Sequence, residues 1–117
     1  MDENKLVRTI LWIMTLLVDA QYENLEQLCR KGGLTARQLQ EAAGAWPFRL
    51  VMPDSNVLEA LVYGEIVEVG DSNPTQWSVY VNLWSQEEGR SDLTLELTVF
   101  DKHGDYYDVE INNIHVL

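Results

Sequence analysis

The densest polar chemistry in the chain is the run Glu87-Glu88-Gly89-Arg90-Ser91-Asp92, which sets three carboxylates and a guanidinium side by side. Several oxygens in one loop are what a hard cation such as calcium requires. The D-x-[DN]-x-[DN]-G spacing of an EF-hand is absent, however, and Arg90 competes for the same carboxylates. The run therefore reads as a hairpin turn in which Arg90 pairs with the acids and Ser91 or Asp92 closes the turn through a local hydrogen bond. His103 falls in the Lys102 to Asp105 turn and His115 near the C-terminus in Ile114-His115-Val116, and each reads as a surface or packing histidine. No phosphate loop, zinc spacing, dinucleotide-binding glycine pattern or nucleophile elbow occurs. No catalytic residue, metal or cofactor is expected, and the chain reads as a binding protein rather than an enzyme.

Charge narrows what it binds. Eight Lys plus Arg against 19 Asp plus Glu leave a formal net charge of −11 over 117 residues. Nucleic acid and anionic membrane surfaces would be approached against Coulomb repulsion, so a cationic partner is the natural complement. Gly32-Gly33-Leu34-Thr35 has the form of a helix-turn-helix corner presenting Arg37 and Gln38, but Glu23, Glu26 and Glu41 on the same helices argue against DNA. Cys29 is the only cysteine, which excludes an intrachain disulfide and fits a reducing cytoplasm. Ile10 to Val18 is almost wholly apolar, and Val18-Asp19-Ala20 has the form of a signal-peptidase site. The flanking Asp2, Glu3, Lys5 and Arg8 sum to zero, so this segment reads as a buried first helix and not as a leader or a membrane span.

The length suits one domain, residues 1–117, and excludes a two-domain enzyme. Its helical part is 1–46. Asp2 or Asn4 caps a helix to about Asp19 with apolar stripes Leu6, Ile10, Ile13, Leu17 and Val7, Leu11, Met14, Val18. A second helix is expected over Tyr22 to Arg30, with Leu25, Leu28 and Cys29 on one face and a stop at Gly32-Gly33. Thr35 and Gln38 form a capping box for a third helix to about Ala43, anchored by Leu39. Phe48 to Met52 reads as a short strand or a link, and Asp54 or Ser55 caps one or two helical turns through Leu61.

From 62 to 117 the period becomes two, in Glu65 to Val69, then Trp77, Val79, Val81, Leu83, then Leu93, Leu95, Leu97, Val99, then Tyr107, Val109, Ile111. Turn-rich connections join these runs. The expectation is an α+β domain, with three N-terminal helices packed on one face of a four-stranded antiparallel β-meander. The residues in between then face outward, and acids and aromatics share that face. Tyr80, Trp84, Glu87, Glu88, Asp92, Glu96, Tyr106, Asp108 and Glu110 are the candidate partner-binding residues. Aromatics bring contact area at low entropic cost, and carboxylates steer a basic partner.

The stretch Trp77 to Leu117, most distinctively LWSQEEGRSDLTLELTV and the terminal IHVL, resembles a family of small bacterial domains to which no reaction is attached. As a type, the chain resembles the small acidic immunity proteins of contact-dependent growth inhibition and related polymorphic toxin systems. That resemblance implies a cytoplasmic protein that binds and neutralises the basic C-terminal domain of a cognate toxin, a nuclease. The alternative is a small-molecule-binding or hydrolase domain of cone-like fold using Trp12, Trp46 and Trp77. A blander reading is an adaptor subunit with one large apolar patch.

Overall fold

The computed structural model describes residues 1–54 and 66–116. The turns expected from Asp54 or Ser55 through Leu61, the strand position of Glu65 and the terminal Leu117 lie outside the described residues. Among the described residues the chain is α+β, with three α-helices followed by one antiparallel sheet of five strands.

Helix α1 spans Glu3–Val18, and the Asp2 side chain caps it by accepting from the Lys5 N–H at 3.2 Å. Of its two expected stripes, Leu6, Ile10, Ile13, Leu17 and Met14 are buried, and Val7, Leu11 and Val18 are half-buried. The first two turns also grip the loop ahead of the last strand. Thr9 Oγ1 accepts from the Tyr107 N–H at 3.0 Å and donates to the Lys5 carbonyl at 2.8 Å. The Tyr107 hydroxyl accepts from the Asp2 N–H at 2.8 Å, and Arg8 Nε donates to the Asp105 carbonyl at 3.1 Å.

Helix α2 spans Tyr22–Leu28 and stops short of the expected Arg30, because the Arg30 N–H leaves the helix and donates to the Val109 carbonyl at 2.8 Å. Leu25 is buried as expected, but Leu28 is 55% exposed. The capping box of Thr35 and Gln38 is complete and starts α3, Ala36–Leu39, with Leu39 fully buried. The α-helix does not run on to Ala43. Gln40–Gly44 widens into a single π-turn, which delivers Ala43 to the core and sets Gly44 against the Tyr22 hydroxyl.

The strands are β1 Leu50–Val51, β2 Ile66–Val69, β3 Gln76–Ser85, β4 Gly89–Phe100 and β5 Asp108–Val116. Among the described residues they number five rather than the expected four, because the Phe48 to Met52 stretch, which read as a strand or a link, contributes β1. β1 and β2 lie along the same edge of β3, opposite Trp84–Ser85 and Gln76–Val79 respectively, and β4 and β5 continue the sheet on the other side. The alternating residues Trp77, Val79, Val81, Leu83, Leu93, Leu95, Leu97, Val99, Val109 and Ile111 share one buried cluster with the α1 stripe, Leu25 and Leu39. In β5 the alternation breaks. Leu97 stands opposite Ile111 and Glu96 opposite Asn113, so Asn112 is a bulge, and the next inward side chain is Ile114.

The free edge of β5 is covered by the loop between α2 and α3, since Arg30 N–H and Leu34 N–H donate to Val109 and Ile111 carbonyls, both at 2.8 Å. Covering an edge in this way removes a template for unwanted strand pairing. The close approach requires a glycine: a Cβ on Gly33 would meet the Ile111 carbonyl oxygen at 2.8 Å and its nitrogen at 2.9 Å. Gly33→Ala is therefore expected to lower stability by about 2 kcal/mol in urea unfolding, the usual range for forced overpacking. Gly70→Ala, where a Cβ meets nothing within 4 Å, should stay within ~0.5 kcal/mol of wild type.

Candidate functional site

Strand register fixes the outer face of the sheet row by row. Trp84 stands opposite Arg90. Asn82, Thr94 and His115 share a row, as do Tyr80, Glu96 and Asn113, then Ser78, Thr98 and Glu110, then Gln76, Phe100 and Asp108. Tyr80, Trp84, Glu96, Asp108 and Glu110 are thus brought onto one face by three long strands. The other expected residues are placed elsewhere. Glu87 and Glu88 lie in the β3–β4 turn, Asp92 lies exposed where the β3–β4 register shifts, and Tyr106 lies in the loop before β5. Tyr106, 49% exposed, stacks on Trp12 of α1 at 5.8 Å between ring centroids and does not belong to the sheet's outer face.

The carboxylates of this region are held by neighbours. Glu96 pairs with His115 Nε2. Asp108 lies 3.6 Å from the Arg30 guanidinium, and Glu110 accepts from Asn112 at 3.0 Å. Arg30 reaches over the covered β5 edge and stacks 3.8 Å from the centroid of the Phe100 ring. This accounts for Phe100 being only 7% exposed on an outward position. The expected pairing of Arg90 with the acids of its own turn is not what forms: its Nε and Nη2 donate to Asn82 Oδ1 at 3.2 and 2.8 Å. Ser91 does close the turn locally, accepting from the Leu93 N–H at 3.1 Å.

Glu87 and Glu88 fasten the turn to the segment ahead of β1. Glu87 accepts from the Arg49 N–H at 3.1 Å, and Glu88 accepts from Trp46 Nε1 at 3.0 Å and from Ser85 Oγ at 2.9 Å. Desolvation acts to raise the Glu88 pKa, but hydrogen bonds from Trp46, Ser85 and Ser91 outweigh it and hold the carboxyl below its ordinary value. The Trp84 indole N–H is buried without an acceptor. His115 and Glu96 form an acid–imidazole pair, yet the neighbouring Thr94 hydroxyl is spent on the Asp92 carbonyl at 3.2 Å and on Asn82 at 3.3 Å, so no activated nucleophile stands beside it in register. Among the described residues no group of three or more His, Cys, Asp or Glu is arranged to hold a metal ion. Sequence reasoning missed Arg30 and Phe100 on this face, and Arg30 carried only the signal of a basic residue at a helix end.

What these features define is an α+β domain whose antiparallel sheet carries acids and aromatics together on one face. Residues 14–117 match the family model described as Domain of unknown function (DUF7668), and the chain belongs to that family. No curated protein and no solved structure matches it.

Two measurements follow from these environments. Because the Glu88 pKa is depressed in the fold, its contribution is present above the unfolded value, 4.5, and is lost as pH falls through the folded value. Glu88→Gln should therefore lower the urea midpoint at neutral pH, and the gap to wild type should close on acidification. Burial, with Asp108 adding to it, pushes the Cys29 thiol from 9.0 up to about 12. A dithiobis-nitrobenzoate reagent at pH 8 should label Cys29 on the order of 10²-fold more slowly in the folded protein than in urea. The raised thiol pKa also means that stability from keeping it neutral is complete below the unfolded value and is lost as pH climbs toward about 12.

Proposed function

We propose that this domain is a non-enzymatic inhibitor that binds a basic protein domain, of the toxin class named by its resemblance to small acidic immunity proteins. In this reading the helices cover one face of the sheet and the outer face of β3, β4 and β5 receives the partner. A cytoplasmic location belongs to the same proposal. No described helix is long and apolar enough to cross a membrane.

The observation that carries the reading is the preorganisation of the acids within a net charge of −11. Glu96, Asp108 and Glu110 stand on rigid strands, each fixed by His115, Arg30 or Asn112, beside Tyr80 and Trp84. Carboxylates already ordered before encounter lose little side-chain entropy on docking, and the long-range field raises the association rate with a cationic surface. Half-buried aromatics on the same face supply the slow dissociation that charge alone does not.

The reading requires the neighbouring upstream gene to encode a protein ending in a basic domain, and co-expression with that C-terminal domain, scored by survival and then by binding of the purified pair, tests this. Rescue is expected, with affinity falling as salt rises. Asp92→Lys should slow association at low salt with little change in dissociation, and Trp84→Ala should speed dissociation about tenfold or more. Absence of both rescue and binding overturns the proposal.

A further inference from the structure

A second region, on the opposite edge of the molecule from the β3–β4 turn, holds a feature that partner docking does not use. Between the start of α1, the β2–β3 connection and the β4–β5 loop lies an open hollow of about 550 Å³. Lys5, Trp77 and Tyr107 form its base, and all three side chains are largely buried. Lys5 is only 8% exposed. A lysine so deep is ordinarily paired with a carboxylate. Here its ammonium lies 4.4 Å from the centroid of the Tyr107 ring and donates to the Lys102 carbonyl. A ring face and a carbonyl dipole occupy part of a group with three N–H donors, and neither supplies a full counter-charge.

The rim has a different character. The exposed Lys102 and His103 stand on it, but so do the exposed carboxylates of Asp2, Glu68 and Asp101. A simple anion heading for Lys5 meets three carboxylates in a chain that is already strongly negative, and a simple cation finds the buried ammonium below. A ligand carrying both charges satisfies both layers. We propose that this hollow binds a small zwitterion of the α-amino-acid type, with its carboxylate on the Lys5 ammonium and its own ammonium toward Glu68 and Asp101. The charge-assisted bond to a desolvated ammonium supplies affinity, and the acidic rim supplies discrimination against plain anions. This site is independent of the inhibitor reading.

Amide chemical-shift titration of the full chain tests it, using each standard L-amino acid in turn and acetate, inorganic phosphate and methylammonium as single-charge probes. The expected result is saturable shifts for at least one amino acid, confined to residues around Lys5, Glu68, Trp77 and 101–107, with the single-charge probes binding about tenfold more weakly or worse. Lys5→Met keeps the aliphatic stem and should abolish the response. Glu68→Gln, at an exposed rim position, should weaken the amino acid without weakening acetate, and it carries the test if Lys5→Met does not fold. No saturable shift with any amino acid, acetate or phosphate binding equally well, or binding that survives Lys5→Met would each overturn the proposal.

Discussion

The backbone of β5 is held from two sides, and much of the molecule is arranged around that restraint. Along its outer edge, Val109 and Ile111 carbonyls take N–H donors from Arg30 and Leu34. At its start, Thr9 of α1 takes the Tyr107 N–H, while Tyr107 in turn receives the Asp2 N–H and lies under the Lys5 ammonium. An edge strand offers a row of unpaired donors and acceptors, and here the helical half of the chain satisfies a share of them. The same contacts dictate secondary features. α2 ends early because Arg30 is needed on β5, and Gly33 is glycine because backbone passes against backbone.

The acidic composition acquires structure through the same geometry. Arg30, drawn to the β5 edge, continues over it to cover Phe100 and meet Asp108. The β3–β4 turn spends Glu87 on the Arg49 backbone N–H and Glu88 on the Trp46 indole N–H, tying the segment ahead of β1 to the hairpin. The exposed Arg30–Asp108 ion pair contributes little stability by itself. The larger effect of these contacts, ion pair and hydrogen bonds together, is positional: they hold carboxylates in place on a strongly negative surface. One charge is treated in the opposite way. Lys5 is buried against an aromatic ring and a carbonyl, which leaves a desolvated cation beneath an acidic rim.

Much of the local architecture was legible in the residues. The Asp2 cap, the Thr35–Gln38 capping box and the period of two from Trp77 to Val99 all follow from neighbours a few positions apart. So does the inward set Val79, Val81, Leu95 and Leu97. Of the candidate face, Tyr80, Trp84, Glu96, Asp108 and Glu110 were legible because strand alternation assigns faces by parity. Tyr106 was misplaced because the parity was extended past the start of β5 into a loop that answers to Trp12. The stretch Phe48 to Met52 read equally as a strand or a link, because Leu50–Val51 is too short to carry a periodic signal and becomes a strand only by pairing with β3.

By itself, then, the sequence determined the helix caps, the alternation of the strands, the strongly negative charge and the split into helical and sheet halves, since each depends on local spacing or on a sum. Tertiary structure alone decided the Asn112 bulge, the covered β5 edge, Arg30 on Phe100, Glu88 on Trp46 and the burial of Lys5 over Tyr107. These join residues far apart in the chain. Their partners are chosen by strand register and by which helical and sheet residues share the buried cluster, and no window of neighbouring residues contains that information.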